Sequence, residues 1–161
     1  PLALCLHDTQ HHGINPLIRP YSPGVDDDAI VRIFTQASRL AHGFLGEEFI
    51  LKAAEEVRSL YLPNAETHVW DDGNGPCGFI ALIPGTPTEV GGFFMDPAHR
   101  GKGHGRALMA DALRRKGTLE LDVFKRNEIG RRFYARYGFT ELAERHDPRF
   151  DQPVIRLRSQ G

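Results

Sequence analysis

The stretch Arg100-Gly101-Lys102-Gly103-His104-Gly105 constrains this chain more than any other part of it. An apolar run, Val90 to Met95, precedes it, and a run with helical spacing, Arg106 to Lys116, follows. Alternate glycines let the main chain come close to a ligand and turn with positive φ. A helix starting directly behind such a loop aims its unpaired N–H groups, with their partial positive charge, at one point. A strand, a glycine loop and a helix start in that order make a seat for a phosphate or a diphosphate.

Two common owners of such loops do not fit. A Walker A loop closes on Gly-Lys-Ser/Thr, whereas Gly105 is followed by Arg106 and Ala107. The dinucleotide fingerprint G-x-G-x-x-G needs a different glycine spacing and a βαβ unit, and the strands ahead of this loop read as a meander.

The surrounding pattern supplies the rest of the architecture. A chain of 161 residues suits one domain. Residues 1–16 carry no periodicity; His7, His11 and His12 lie there beside Gly13 and Pro16, which predicts a disordered tail or an engineered or processed leader. Leu17 to Pro20 is a first short strand. Asp26 is placed to cap a helix in which Ile30, Ile33, Phe34, Ala37 and Ala41 recur at helical spacing, with Gly43 as its stop. A second helix is predicted from about Glu47 to Leu60, ending before Pro63. Strands follow over Thr67–Trp70, Cys77–Ile83 and Val90–Met95, the first two joined by the turn Asp71-Asp72-Gly73-Asn74-Gly75. Beyond the loop come a helix to Lys116, a strand over Thr118–Phe124, a helix from Asn127 to Tyr137, and strands over Phe139–Arg145 and Pro153–Leu157. The order is β-α-α-β-β-β-α-β-α-β-β.

The loop and its sequel together resemble a known family. Arg100, Gly103 and Gly105 make R-x-x-G-x-G; Asn127 and then Phe133-Tyr134-Ala135-Arg136-Tyr137-Gly138-Phe139 follow at the right distance. This pattern is similar to the GNAT superfamily of acetyl-CoA-dependent N-acetyltransferases, over roughly residues 18–158, and looks like a compact single-domain bacterial-type member. The resemblance implies an α/β (α+β) fold with a central, mostly antiparallel mixed sheet of about six to seven strands and four helices. It implies acetyl-CoA as cofactor. The backbone of Phe94 and Met95 would bond the pantetheine arm, and Arg100, Gly101, Lys102, Gly103, His104, Gly105 and Arg106 would wrap the diphosphate. Asn127 would touch the cofactor, and Tyr134 would set its phenol near the thioester sulfur. The Met95 N–H is the candidate oxyanion donor, and Tyr134 the candidate acid for the departing thiolate.

The acceptor side is less determined. The first two helices and their loop bring His42, Phe44 and Glu47 forward as candidate substrate residues, in a partly apolar pocket with an acidic rim. The base that takes the amine proton is open between a carboxylate acting through water, with Glu47 and Glu48 in view, and His42. Either a small amine, an amino acid or a peptide amine fits as acceptor. The alternative is an acyl-CoA-binding sensor without turnover.

Charge narrows the partners. The net charge is −1 overall, which argues against a dedicated nucleic-acid binder. Residues 97–138 nevertheless hold 11 Lys and Arg against 4 Asp and Glu, leaving the remainder acidic. That asymmetry suits an anionic cofactor and a cationic acceptor. No apolar run nears the ~20 residues of a membrane span, so a cytoplasmic protein is expected, as monomer or homodimer. Cys5 and Cys77 offer neither a disulfide framework nor a four-ligand zinc pattern, and no metal is expected. Cys77 reads as a small buried apolar residue, and the His104 side chain as incidental.

Overall fold

A computed structural model describes residues 17–160. The predictions for residues 1–16 lie outside them. One seven-stranded sheet organises the chain, in the order β1-β2-β3-β4-β5-β7-β6. Its strands are β1 (Ile18–Pro20), β2 (Glu66–Asp71), β3 (Pro76–Ile83), β4 (Thr88–Met95), β5 (Leu119–Phe124), β6 (Thr140–Asp147) and β7 (Gln152–Arg158). Neighbours run antiparallel except β4 and β5, which are parallel. The helices are α1 (Asp27–Ala41), α2 (Glu47–Glu56), a last turn α3 (Leu62–Asn64), α4 (His104–Lys116) and α5 (Glu128–Tyr137). The element order follows the hydrophobic periodicities, as does the mixed α/β architecture.

Alternation along β3 divides the core in two. Phe79 and Ala81 face α1, joining Ile30, Ile33 and Val69 in one apolar cluster. Ile80 and Leu82 face the other side, where Leu108, Met109 and Ala112 of α4 meet Leu119, Leu121 and Val123 of β5. A strand exposes opposite faces at successive residues, so a continuous apolar run such as β3 is what a strand covered on both sides requires.

Three local expectations change. Asp26 sits at the α1 N-cap position, but its carboxylate does not cap the helix. It is buried and accepts from the Arg19 guanidinium at 2.7 and 3.0 Å and from the Ser22 N–H at 2.8 Å. A carboxylate bonded to an arginine and a main-chain donor is held in its charged form, and its pKa is lowered. Gly43 does not end α1 in a left-handed turn; it starts a 3-10 turn, Gly43–Leu45, and His42 is the C-cap. The second helix does not stop before Pro63. It widens into a π turn over Val57–Tyr61 and continues through α3, with Pro63 in the first positions of that turn. Pro63 thus follows directly on a turn whose wider spacing already departs from the regular helical ladder.

Candidate functional site

The parallel pairing of β4 with β5 is short. Thr88 and Glu89 pair with Leu119 and Glu120, and beyond them the strands separate. On its other edge β4 stays bonded to β3 as far as Met95. The Asp96 N–H donates to the Cys77 carbonyl at 2.8 Å. In an antiparallel ladder this bond makes Gly78 and Met95 a non-hydrogen-bonded pair and Phe79 and Phe94 a hydrogen-bonded one. The N–H and C=O of Phe94 therefore face β3. Those of Phe93 and Met95 face the gap left by β5. The expected pair of pantetheine-bonding residues shifts accordingly: Met95 keeps a free amide toward the gap, Phe94 does not, and Phe93 takes its place.

At the end of β4 lies the glycine loop. Gly101 and Gly103 both adopt positive φ, 80° and 82°, with open space where a Cβ would stand. Gly105 has a different reason to be glycine. A Cβ there would stand 3.3 Å from the Phe93 ring and 3.4 Å from Met95, so its absence lets α4 start close against β4. The Ala107 N–H returns to the Gly103 carbonyl. Among the described residues, the N–H groups of residues 101 to 106 donate to no protein acceptor. Arg100 and Lys102 are exposed beside them, and the Arg106 guanidinium lies 5.0 Å from the centre of the Tyr137 ring on α5. Six free donors at a helix start fit a diphosphate.

Across the gap stand α5 and the end of α1. The Asn127 Oδ1 accepts from the Gly130 N–H at 2.9 Å, capping α5. That bond fixes the amide's orientation, so Nδ2 is the atom turned to His42 Nε2, 3.1 Å away. Nε2 is then the acceptor and the imidazole proton sits on Nδ1. Burial pushes the His42 pKa down to about 4. The ring is neutral near pH 7, and aromatic neighbours hold it: Phe124 at 5.0 Å, Phe94 and Phe44 each at 6.1 Å. Gly130 makes the cap possible, because a Cβ there would come within 2.5 Å of Asn127 Nδ2.

Tyr134 is buried on α5, its ring 6.3 Å from that of Phe93. It lines the gap together with Phe93, Phe94, Asn127 and His42, in a cleft of about 870 Å³. Its hydroxyl bonds to no protein group among the described residues. Burial raises its pKa, so the phenol keeps its proton and can act as a donor.

Not every predicted acceptor residue reaches this cleft. His42 does. Phe44 backs it, meeting Phe124 edge to face at 5.6 Å and lying under the Arg126 guanidinium at 4.7 Å. Glu47 lies outside, exposed and bonded to Arg39 at 2.9 Å. Helical and strand periodicity gave no reason to single out Phe49, Phe124 and Phe150. They form one aromatic wall, with Phe150 5.6 Å from Phe49 and 5.1 Å from Phe124. The carboxylates that do line the cleft are Glu56, Glu89, Asp122 and Asp147.

Comparison with known proteins agrees with this geometry. Residues 63–141 match the family model described as an acetyltransferase (GNAT) domain. The chain is 30% identical to the peptidyl-lysine N-acetyltransferase YjaB of Escherichia coli over 139 residues, covering 84% of this chain and 92% of that one. The solution structure of apo-form YjaB from Escherichia coli aligns with a TM-score of 0.76 at 28% identity, covering 89% of this chain and 97% of that one. The PaiA N-acetyltransferase of Thermoplasma acidophilum, solved in complex with coenzyme A, aligns with a TM-score of 0.69 over 89% of this chain and 99% of that one. Its 18% identity makes that a likeness of fold.

Proposed function

The chain belongs to the GNAT family of N-acetyltransferases, which move an acetyl group from acetyl-CoA to an amine, and from that premise we propose that its acceptor is a lysine side chain within a peptide or protein. The observation that carries the reading is the Tyr134 ring lining a cleft where β4 and β5 part, with β4 running on into a loop whose N–H groups at residues 101–106 are free. Acetyl-CoA supplies a thioester whose sulfur leaves as a thiolate.

The roles of this chain's own groups follow from their placement. The loop amides of residues 101 to 106 would hold the diphosphate, with Arg100, Lys102 and Arg106 adding charge. The main-chain groups of Phe93 and Met95 would take the amide-bearing arm as a β-strand takes its neighbour. The Met95 N–H would face the carbonyl oxygen where negative charge gathers; one such donor is typically worth about 3–4 kcal/mol. The Tyr134 hydroxyl, protonated and without a protein partner, would hand its proton to the sulfur. Asn127 would act through the cleft wall, by holding His42 in place.

A lysine amine has an ordinary pKa of about 10.4 and must be neutral to attack. His42 is poorly suited as its base, since its Nε2 lone pair is engaged by Asn127 and its pKa is low. Glu47 is held by Arg39 outside the cleft. Glu89 and Asp122 are held by Arg156, and Asp147 by Arg149. Glu56 has no ion-pair partner among the described residues, so it is the lining carboxylate available to take the proton through water. Four carboxylates against Lys52, Arg149 and Arg156 leave the cleft lining net anionic, which favours a cationic acceptor. YjaB, named for peptidyl-lysine acetylation, supports the same acceptor class.

The test uses acetyl-CoA with two versions of one peptide, one carrying a free internal lysine and the other that lysine blocked. Free thiol and a peptide gaining one acetyl group are expected only with the free lysine. Equal turnover of the blocked peptide, or turnover only of small amines, would overturn the acceptor assignment.

A further inference from the structure

Outside the cleft, three metal-ligating side chains meet at the root of the glycine loop. Cys77 on β3, His99 in the turn Pro97–His99 and His104 at the start of α4 each place a ligand atom within 4.8 Å of the other two. Cys77 Sγ lies 3.8 Å from His104 Nδ1. The His104 ring is fixed by stacking on Trp70, with centroids 3.6 Å apart and planes 12° from parallel. The His99 turn is itself pinned, since the Asp96 carboxylate accepts from the Ala98 N–H at 2.9 Å and the Asp96 carbonyl from the His99 N–H at 2.9 Å.

We propose that Cys77, His99 and His104 form a binding site for a zinc-like divalent cation, which ties both ends of the glycine loop to β3. Bond lengths of about 2.3 Å to sulfur and 2.0–2.1 Å to nitrogen in a tetrahedral site require S···N separations of about 3.6 Å. The Cys77–His104 pair is already near that value. His99 is only partly buried, and its ligand atom lies within 4.8 Å of the other two, so closure asks for a small movement of its ring.

The ligand types are those of zinc and of other soft or borderline cations, not of magnesium or calcium. A fourth position stays open to water. Binding replaces the S–H bond by a metal–sulfur bond, and the thiol proton passes to the buffer. A hydrogen bond between Cys77 and His104 alone would not call for a third ligand side chain within the same radius. The three side chains lie outside the lining of the cleft, and the His104 main chain alone belongs to the diphosphate seat.

Cobalt(II) is the probe, added to the full metal-free chain. A thiolate-to-cobalt charge-transfer band and tetrahedral d–d bands are expected, saturating at one equivalent and displaced by zinc. The band reports cysteine ligation, so binding to His7, His11 or His12 alone does not produce it. The chain has one other cysteine, Cys5. Cys5→Ser should keep the band, and Cys77→Ser and His99→Ala should each abolish it. Added zinc should raise the Tm of the unsubstituted chain and of Cys5→Ser, and leave that of His99→Ala unmoved. Since His99 is partly exposed, that variant keeps the test sound even if Cys77→Ser misfolds. Absence of the band, its loss in Cys5→Ser, or its survival in His99→Ala would overturn the proposal.

Discussion

Tyr134 carries its proposed role through two properties that pull together. Its ring is buried against Phe93, which fixes its position, and burial raises the hydroxyl's pKa, which keeps the proton available. Tyr134→Phe keeps the packing and removes only the donor. Steady-state kinetics should show kcat lowered by about 10–1000-fold, with acetyl-CoA binding nearly unchanged in calorimetry. His42 supplies a pH test. Above its ordinary pKa of about 6.5 the imidazole is neutral in both folded and unfolded chains. Between there and about 4 the unfolded chain takes a proton that the folded one refuses, so stability falls with pH, by about 3 kcal/mol once both values are passed. His42→Leu should lose less Tm than the unsubstituted chain between about pH 7 and about pH 4.5. Equal losses would show that His42 is not the group held neutral. The sequence marks Tyr134 through its spacing from the glycine loop. It could not assign His42 its partner, because Asn127 lies 85 residues away in the chain and only folding brings the two side chains to 3.1 Å.

At the scale of elements, α5 depends on a glycine that helical propensity would discard. Replacing Gly130 by alanine would by propensity stabilise a helix by about 1 kcal/mol. Here the added Cβ would displace the Asn127 amide. Loss of the cap costs about 1 kcal/mol, and a half-buried His42 left without its bond costs about 1–3 more. Gly130→Ala should therefore lower Tm, and an unchanged or higher Tm would show that Asn127 has another way to sit. The glycine loop gives the opposite case. Open space surrounds Gly103, so Gly103→Asp meets no protein clash, but it combines a strained positive φ with a carboxylate in the anion seat. Acetyl-CoA binding should be lost with the far-ultraviolet spectrum unchanged; retained affinity would count against the seat. The loop was legible because its glycines and its neighbours are contiguous. The facing of Phe94 and Met95 was not, since which amide points to the gap depends on the pairing of β4 with β3.

For the molecule as a whole, the decisive feature is that β4 and β5 pair briefly and then part, while β3 and β7 hold their outer edges. That separation leaves main-chain donors facing a cleft with α5 on one side and the end of α1 on the other. A ligand filling it stabilises only the folded chain. Acetyl-CoA at about a hundredfold excess over its Kd should add about 2.7 kcal/mol of stability. For a chain of this size that is a Tm rise of roughly 5–10 °C. The rise should vanish in Gly103→Asp and persist in Tyr134→Phe. A shift that survives Gly103→Asp would place the ligand elsewhere. Among the described residues no helix is long and apolar enough to cross a membrane.

The amino-acid order by itself determined the succession of strands and helices, the glycine loop and the position of Tyr134 relative to it. Those are local matters: periodicity selects the element, and glycine and asparagine mark its ends. Only the tertiary structure decided that Glu47 stays outside the cleft while Glu56 enters it, that Phe93 replaces Phe94 in facing the gap, and that Cys77, His99 and His104 converge. Each of these depends on which way a side chain or an amide points once separate segments pack together. Spacing along the chain does not carry that information, because strand register and helix rotation are set by the partners each element meets.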